Sequence, residues 1–197
     1  MPSTIRLVIA GTAVVWIAAC SAQPQPPPPP AATPDQVQAT RVERGEYLVN
    51  AMGCDDCHTP WVMGPNGPAP DMTRRLSGHP EGLKVDQMPK LPEPWGFAGT
   101  LSNTAWTGPW GISYTANLTS DPNTGIGQEA WTEENFLKAI REGKHMGTSR
   151  QILPPMPWTA FRNLNDEDLK SIYAYLRTVP PINNHVPEPV IAEAGKQ

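Results

Sequence analysis

The chain has 197 residues, with 15 Lys and Arg against 19 Asp and Glu, so its formal net charge is −4 at pH 7. This mildly acidic balance, without a basic stripe in the sequence, argues against binding nucleic acid, whose phosphates require clustered cations. The length allows one domain beside an N-terminal leader.

The N-terminal segment predicts export. Residues 5–19 are apolar or small apart from Arg6, which is shorter than a membrane-spanning stretch and typical of a signal peptide. The stretch ends at Cys20 in the sequence IAAC, which resembles the lipobox of bacterial lipoproteins. Residues 1–19 are therefore predicted to be removed and Cys20 to carry a lipid. Cleavage after Ala22, which would discard Cys20, is the alternative.

Residues 20–35 are predicted to form a proline-rich linker, with five consecutive prolines at positions 26–30. Proline fixes φ and lacks an N–H, so this segment favours an extended spacer of about 3 Å per residue. Such a spacer would hold a domain away from a membrane. One domain is predicted over residues 36–186, followed by a C-terminal tail at 187–197.

The first predicted helix precedes the most informative stretch of the chain. Thr33 to Gln36 have the pattern of a capping box with proline at the first helical position. Gly53 can take the left-handed position after the helix. The residues predicted to share its apolar face are Val42, Tyr47, Leu48 and Ala51.

Cys54-Asp55-Asp56-Cys57-His58 comes next in the chain. Two cysteines two residues apart, followed at once by histidine, form the attachment signature of c-type haem. Each thiol can bond to one vinyl group of the porphyrin, and His58 then ligates the iron as proximal ligand. The motif occurs once, which predicts one covalent haem c. A zinc site and a thiol–disulfide redox pair are the alternatives, but the second metal-ligand pair and the βαβ pattern that usually accompany them are not seen.

The segment from residue 59 to residue 115 is long for a connection and rich in proline, glycine and tryptophan. A connection of this length is usually functional or disordered. Its four tryptophans argue against disorder, because indole rings need something to cover them. We expect a largely irregular insert packed around the haem, with a short hairpin. The four tryptophans are Trp61, Trp95, Trp106 and Trp110.

Two further helices are predicted after the insert. Thr132 is expected to cap a helix over residues 133–142 that ends at Gly143, and Asn165 to cap one over residues 166–178. Their buried stripes are predicted as Phe136, Leu137 and Ile140 in one helix, and Leu169, Ile172, Tyr173 and Leu176 in the other. The last helix is expected to cross the first, with Tyr173 and Leu176 facing Tyr47 and Leu48.

A second axial ligand must approach the other face of the iron. Met156 lies between two predicted helices with a proline on each side, and these prolines restrict the backbone that presents its thioether. Methionine opposite histidine raises the haem potential. We therefore predict Met156 as the ligand. The rival ligands are His145, Met146, His79 and His185.

Together these features resemble the class I cytochrome c family: the helix before the motif, the CxxCH, the Pro-Met-Pro loop and the final helix. The resemblance is closer to exported bacterial cytochromes with a long insert, through WTGPWG at 106–111, ANLT at 116–119, TGIG at 124–127 and WTEE at 131–134. Related stretches occur in cytochrome subunits of periplasmic alcohol, aldehyde and sugar-acid dehydrogenases, which commonly carry three haem motifs where this chain carries one.

The resemblance implies a mainly α cytochrome c fold, with about three core helices around a covalent haem and a long irregular insert after the haem motif. It also implies that residues 112–119 run past a haem edge. Asn117, Trp131 and Arg75 of the Arg74-Arg75 pair are then candidates for hydrogen bonds to the haem propionates, since amide, indole and guanidinium N–H groups donate to carboxylates.

The sequence as a whole predicts a lipid-anchored electron carrier of the bacterial cell envelope, facing the periplasm, rather than an enzyme. Its expected partners are a donor dehydrogenase and an acceptor oxidase or cytochrome. Asp55 and Asp56 are expected to favour ferric iron and to attract a basic partner. Two alternatives stay open: a haem enzyme with an exchangeable sixth ligand, and a haem subunit docked permanently on a dehydrogenase or oxidase.

Overall fold

The computed structural model describes residues 32–192. The predicted signal peptide, Cys20 and the run of five prolines lie outside the described residues, as do the last five residues. Within residues 32–192, no helix is long and apolar enough to cross a membrane.

The described residues form five α-helices and six short strands, and five of these strands lie in the insert at residues 59–115. The helices are α1 (Pro34–Ala51), α2 (Cys54–His58), α3 (Glu133–Glu142), α4 (Trp158–Phe161) and α5 (Asp166–Leu176). Two 3₁₀ turns span Met72–Arg74 and His145–Gly147. The strands are β1 (Trp61–Gly64), β2 (Gly67–Pro70), β3 (Ala98–Gly99), β4 (Ala105–Gly108), β5 (Gly111–Tyr114) and β6 (Val190–Ile191).

The predicted start and end of α1 are confirmed. The Thr33 hydroxyl accepts a hydrogen bond from the Gln36 N–H at 3.3 Å, and the Gln36 side chain accepts one from the Thr33 N–H at 2.8 Å. Pro34 lies in the first turn of the helix, where a backbone N–H has no acceptor within the helix, so the N–H that proline lacks is not missed. Gly53 follows the helix with φ +68°, the left-handed conformation that favours glycine.

The predicted apolar face of α1 is wrong in part. Leu48 is buried as expected, but Tyr47 is 61% exposed and Ala51 is also exposed, while Gly45 and Val49 are buried. The reason is the crossing with α5, which occurs at Gly45. A Cβ atom at position 45 would lie 1.9 Å from the Ser171 carbonyl oxygen. The two helices therefore approach most closely where α1 has no side chain, and this turns Tyr47 to the solvent.

The other two predicted helices form with the expected caps. The Thr132 hydroxyl accepts from the Asn135 N–H at 3.1 Å at the start of α3, and Gly143 ends that helix with φ +69°. The Asn165 side chain accepts from the Asp168 N–H at 2.7 Å at the start of α5. Helix α5 ends at Leu176, two residues before the predicted end at 178.

One hydrophobic core joins α1, α3 and α5. Leu137 and Tyr173, which were predicted to be buried, are half-buried at its edge. The buried members of the core are Leu48, Val49, Leu76, Ile126, Phe136, Ile140, Leu169, Ile172, Tyr175, Leu176 and Val179.

The insert contains more strand structure than one short hairpin. Strands β1 and β2 form an antiparallel hairpin, and β3, β4, β5 and β6 form a four-stranded antiparallel sheet in that order. No helix or strand occurs between residues 75 and 97. Strand β6 lies in the segment predicted as a tail and pairs with β5, Ile191 opposite Gly111 and Val190 opposite Ile112. The chain end thereby closes the edge of the insert's sheet.

Candidate haem-attachment site

The CxxCH motif forms the short helix α2, which starts directly after α1. Gly53 makes the turn between the two helices. A Cβ atom at that position would lie 2.8 Å from the Asp56 carboxylate, so glycine suits both the positive φ and the space. At the other end, the Thr59 N–H donates to the Asp55 carbonyl at 3.0 Å. Both cysteines and His58 thus lie within five consecutive helical residues.

The two thiols are free and half-buried. Burial, followed by the charge of Asp55, raises the pKa of Cys54 to about 12. Burial and the charge of Asp56 likewise raise the pKa of Cys57. A thiol–disulfide redox motif depends on a lowered cysteine pKa, so these environments do not favour that alternative. Among residues 32–192, no group of three or more His, Cys, Asp or Glu is arranged to hold a metal ion.

His58 is buried, and its ring is held by a backbone carbonyl. Its Nδ1 lies 2.8 Å from the Ala116 carbonyl oxygen. Because a carbonyl oxygen only accepts, Nδ1 must carry the hydrogen, which leaves the lone pair on Nε2. Burial lowers the pKa of His58, against opposing effects of the Ala116 hydrogen bond and the Asp55 charge. A neutral imidazole whose other nitrogen donates to a backbone carbonyl fits iron ligation.

Met156 is half-buried and packs against the same hydrophobic core as Cys54. Its loop is attached to β5, because the Ser113 hydroxyl donates to the Pro154 carbonyl at 2.6 Å. The Met156 side chain therefore lies two residues from Pro154, where its loop is hydrogen-bonded to the insert's sheet.

One short stretch of backbone holds both predicted ligand segments. Ser113 binds the Met156 loop, and Ala116, three residues later, binds the His58 ring. Three residues of extended chain span at most about 11 Å. The expectation that residues 112–119 run past a haem edge stays a prediction. Sequence reasoning missed the individual roles of Ser113 and Ala116, and for Ala116 no side-chain signal exists, because its carbonyl makes the contact.

The three histidines that were considered as rival axial ligands differ from His58 in their contacts. Both ring nitrogens of His79 are used, Nδ1 with the Thr104 hydroxyl at 3.0 Å and Nε2 with the Leu83 carbonyl at 2.9 Å. The His145 ring lies edge-on to Trp131, with centroids 5.5 Å apart. His185 is exposed.

The three predicted propionate partners differ in their hydrogen bonding. The Asn117 amide donates to the Ile182 carbonyl at 2.8 Å and to the Thr124 hydroxyl at 3.1 Å, which ties two loops together. Arg75 donates to side chains of α1, α2 and α5. The Trp131 ring borders the core, and its indole N–H donates to no residue in the range 32–192. Trp131 therefore has its donor free for another group.

Further unpaired donors lie in the insert, whose tryptophans were singled out in the sequence only as rings that need covering and not as hydrogen-bond donors. Within the described range, the indole N–H groups of Trp61, Trp106 and Trp110 and the Thr115 hydroxyl are buried without a hydrogen-bond partner. Trp106 is paired directly with Ser113 across the sheet, and directly paired residues point to the same face. A buried, unpaired donor costs about 1–3 kcal/mol. Trp106 thus shares a sheet face with Ser113, which binds the Met156 loop, and its free donor fits a cofactor that carries acceptor groups such as carboxylates.

No protein-family model matches the chain. One of the subunits of the nicotinate dehydrogenase of Pseudomonas putida is 32% identical over 149 residues, which cover 76% of this chain and 9% of that protein. The fructose dehydrogenase cytochrome subunit of Gluconobacter japonicus is 32% identical over 178 residues, 90% of this chain and 29% of that protein. The gluconate 2-dehydrogenase cytochrome c subunit of Pantoea cypripedii is 32% identical over 149 residues, 75% of this chain and 25% of that protein.

The chain thus spans less than a third of the length of each of these relatives. The similarity extends over three quarters or more of this chain. The resemblance found in the sequence is confirmed: the chain is related to the cytochrome c subunits of dehydrogenases.

Proposed function

We propose that the chain binds a single covalent haem c and transfers electrons, with His58 and Met156 as the axial ligands. The observation that carries this proposal is the His58 imidazole, buried directly after the two cysteines, with Nδ1 bonded to the Ala116 carbonyl and Nε2 left for iron. On this proposal α1, α3 and α5 are the core helices of a cytochrome c fold. Bound haem supplies a one-electron couple between ferrous and ferric iron.

The residues of the chain would divide the work of holding the cofactor. Cys54 and Cys57 would fix it covalently, and the Ala116 carbonyl keeps the His58 ring in one orientation. Ser113 holds the loop of Met156. Trp131 and Trp106 have N–H donors that could bind the propionates. Asn117 and Arg75 remain proposed propionate partners, although their present hydrogen bonds support structural roles more directly.

An electron carrier is favoured over an enzyme by the Met156 loop. A thioether at the sixth position of the iron leaves no site for a substrate. The relatives named as cytochrome subunits belong to dehydrogenases whose names identify the substrate of the whole complex, and this supports a role in carrying electrons. The haem enzyme with an exchangeable sixth ligand remains the alternative that the experiment below must exclude.

The proposed location is the bacterial cell envelope, with the domain facing the periplasm and Cys20 lipidated. The signal-like segment before Cys20 and the attachment motif support it. The proposed partners are a donor dehydrogenase and an acceptor oxidase or cytochrome. Mass spectrometry of the mature N-terminus tests the anchor. A chain that begins at Gln23 without lipid would contradict it.

A second candidate function is that of a permanent haem subunit in a dehydrogenase complex. The relatives are named as subunits, and the insert exposes apolar side chains of the kind that mark interfaces. The exposed large apolar residues of the insert are Val62, Met63, Met72, Leu83, Met88, Trp95, Phe97 and Leu101. Co-purification of a dehydrogenase after mild detergent extraction would support the subunit, whereas a monomer would support a free carrier.

The ligand assignment is tested by optical spectra of the matured protein in both oxidation states, on wild type and Met156→Ala. We expect a low-spin wild type with the weak near-infrared band of methionine on ferric haem. Met156→Ala should lose that band and gain carbon monoxide binding. Met146→Ala is the matched control, because it removes the rival methionine and should leave the spectra unchanged.

Two results would contradict the proposal at different levels. If the wild-type protein shows no covalent haem on a denaturing gel, the proposed haem attachment is wrong. A wild type that is high-spin, or a Met156→Ala spectrum like that of the wild type, would leave the haem but assign the sixth position to water or another residue.

A further inference from the structure

The two aspartates between the haem cysteines lie in different environments. The Asp55 side chain is 20% exposed and accepts from Arg75 Nη2 at 2.6 Å and from the Thr59 hydroxyl at 3.0 Å. Asp56 is exposed, and it forms no salt bridge with any residue between 32 and 192. Sequence reasoning treated the two carboxylates as one acidic pair, but only one of them is neutralised by the fold.

Arg75 is the residue that makes the difference, and it reaches three helices. Its guanidinium donates to Asp55 of α2, to the Asn50 side chain of α1 at 2.7 Å and to the Tyr175 hydroxyl of α5 at 2.5 Å. The guanidinium also lies 5.8 Å from the centroid of the Tyr175 ring. A planar guanidinium can satisfy several acceptors in fixed directions, which an ammonium cannot do.

We infer that Arg75 is a positioning residue that fixes Asp55 and cancels its charge beside the haem, so that of these two aspartates only Asp56 presents its negative charge to a partner. This inference rests on the proposed function, since it requires haem at Cys54 and Cys57. Charges that are partly buried are screened less by salt than exposed ones. A bare carboxylate at Asp55 would therefore stabilise ferric iron, and the Arg75 cation opposes this effect.

The test is the midpoint potential of the haem-loaded full chain in wild type, Arg75→Gln, Asp55→Asn and the double variant, measured by spectroelectrochemistry. We expect Arg75→Gln to lower the potential and Asp55→Asn to raise it. The double variant should return close to the wild-type potential, because it removes one charge of each sign. Thermal unfolding of the same samples reports the purely structural contribution of the Arg75 hydrogen bonds.

Asp56→Asn is the matched control, because it removes the same charge one residue away at an exposed position. We expect a smaller shift in potential than for Asp55→Asn. The rate of reduction of the ferric protein by a small cationic reductant such as hexaammineruthenium(II) should depend less on salt in Asp56→Asn than in wild type. Equal shifts in potential for Asp55→Asn and Asp56→Asn would overturn the division of roles.

The failure of this inference can be separated from the failure of the proposed function. Suppose that wild type carries covalent haem, but Arg75→Gln lowers only the unfolding temperature and leaves the haem potential unchanged. Arg75 then only stabilises the fold, and the inference is overturned. A wild type without haem overturns the proposed function instead. If Arg75→Gln does not mature, Asp55→Asn and Asp56→Asn still decide: a larger rise in potential for Asp55→Asn supports the inference, and equal shifts overturn it.

Discussion

The interior of the helical frame, which consists of α1, α3 and α5, is mainly apolar, whereas the interior of the insert at residues 59–115 is mainly polar. The frame is buried through apolar side chains such as Val49, Phe136 and Leu169. The insert contributes Leu76, Ala105, Ile112 and Pro60 to the buried apolar residues. Its buried polar residues are more numerous and include Thr59, Ser77, His79, Ser102, Thr104, Thr107 and Ser113.

The difference indicates that stability and positioning come from separate regions. Apolar packing in the frame is strong but not directional. Hydrogen bonds in the insert are directional, and a chain of them runs from His79 through Thr104 to Ser102 and Thr100. Near the end of the insert, the Ser113 hydroxyl holds the Met156 loop, and the Ala116 carbonyl just after the insert holds the His58 ring. We therefore infer that the frame supplies most of the folding free energy and that the insert orients the proposed ligands.

The largest expected effect is the loss of a core side chain from the frame. Leu169 in α5 is 1% exposed, so Leu169→Ala should destabilise the protein by about 2–5 kcal/mol through lost burial and a cavity. Leu101→Ala is the control in the insert, where the side chain is 61% exposed, and should change the free energy of unfolding by less than about 0.5 kcal/mol. Urea unfolding measures both. Similar losses for the two variants would break the comparison.

The next largest effect concerns the contact between α1 and α5. Gly45→Ala should cost about 1–3 kcal/mol, because the new Cβ would lie 1.9 Å from the Ser171 carbonyl oxygen and force the helices apart. Gly82→Ala in the insert is the matched control, since nothing lies within 4 Å of a Cβ there. The control should be neutral or slightly stabilising, because alanine reduces the freedom of the unfolded chain. A neutral Gly45→Ala would show that the frame is not packed as closely as described.

The smallest expected effect is a pH dependence that belongs to the insert. Burial lowers the pKa of His79 from its ordinary value of 6.5, against the opposing effect of its hydrogen bonds to Leu83 and Thr104. The neutral imidazole therefore contributes stability that is fully present above pH 6.5. This stability is lost as the pH falls through the lowered folded pKa, because the unfolded state binds the proton more readily.

His79→Gln tests this expectation. The variant should lose less stability than wild type when urea unfolding at pH 8 is compared with unfolding at pH 5. The lowered pKa values of His58 and His145 are present in both proteins and cancel in the comparison. An identical loss of stability in wild type and His79→Gln would show that the polar interior of the insert does not depend on the neutral ring.

The parts of the fold that the sequence predicts well are governed by neighbours along the chain. Thr33, Thr132 and Asn165 cap their helices as expected, because each bonds an N–H only three residues away. The attachment motif is likewise contained in five residues. The insert resisted prediction because its strands pair across loops and its last strand pairs with residues 190 and 191.

The sequence by itself determined where the helices of the frame begin and predicted the CxxCH motif as the haem attachment and the Met156 loop as the source of the second ligand, since these are local patterns. Only the tertiary structure decided that Tyr47 faces solvent, that Ala116 orients His58, and that Arg75 pairs with Asp55 twenty residues away. These outcomes depend on how closely α1 and α5 approach and on where a backbone carbonyl or a long side chain comes to lie. Neither the distance between the helices nor the position of such a distant group is determined by residues that are neighbours in the sequence.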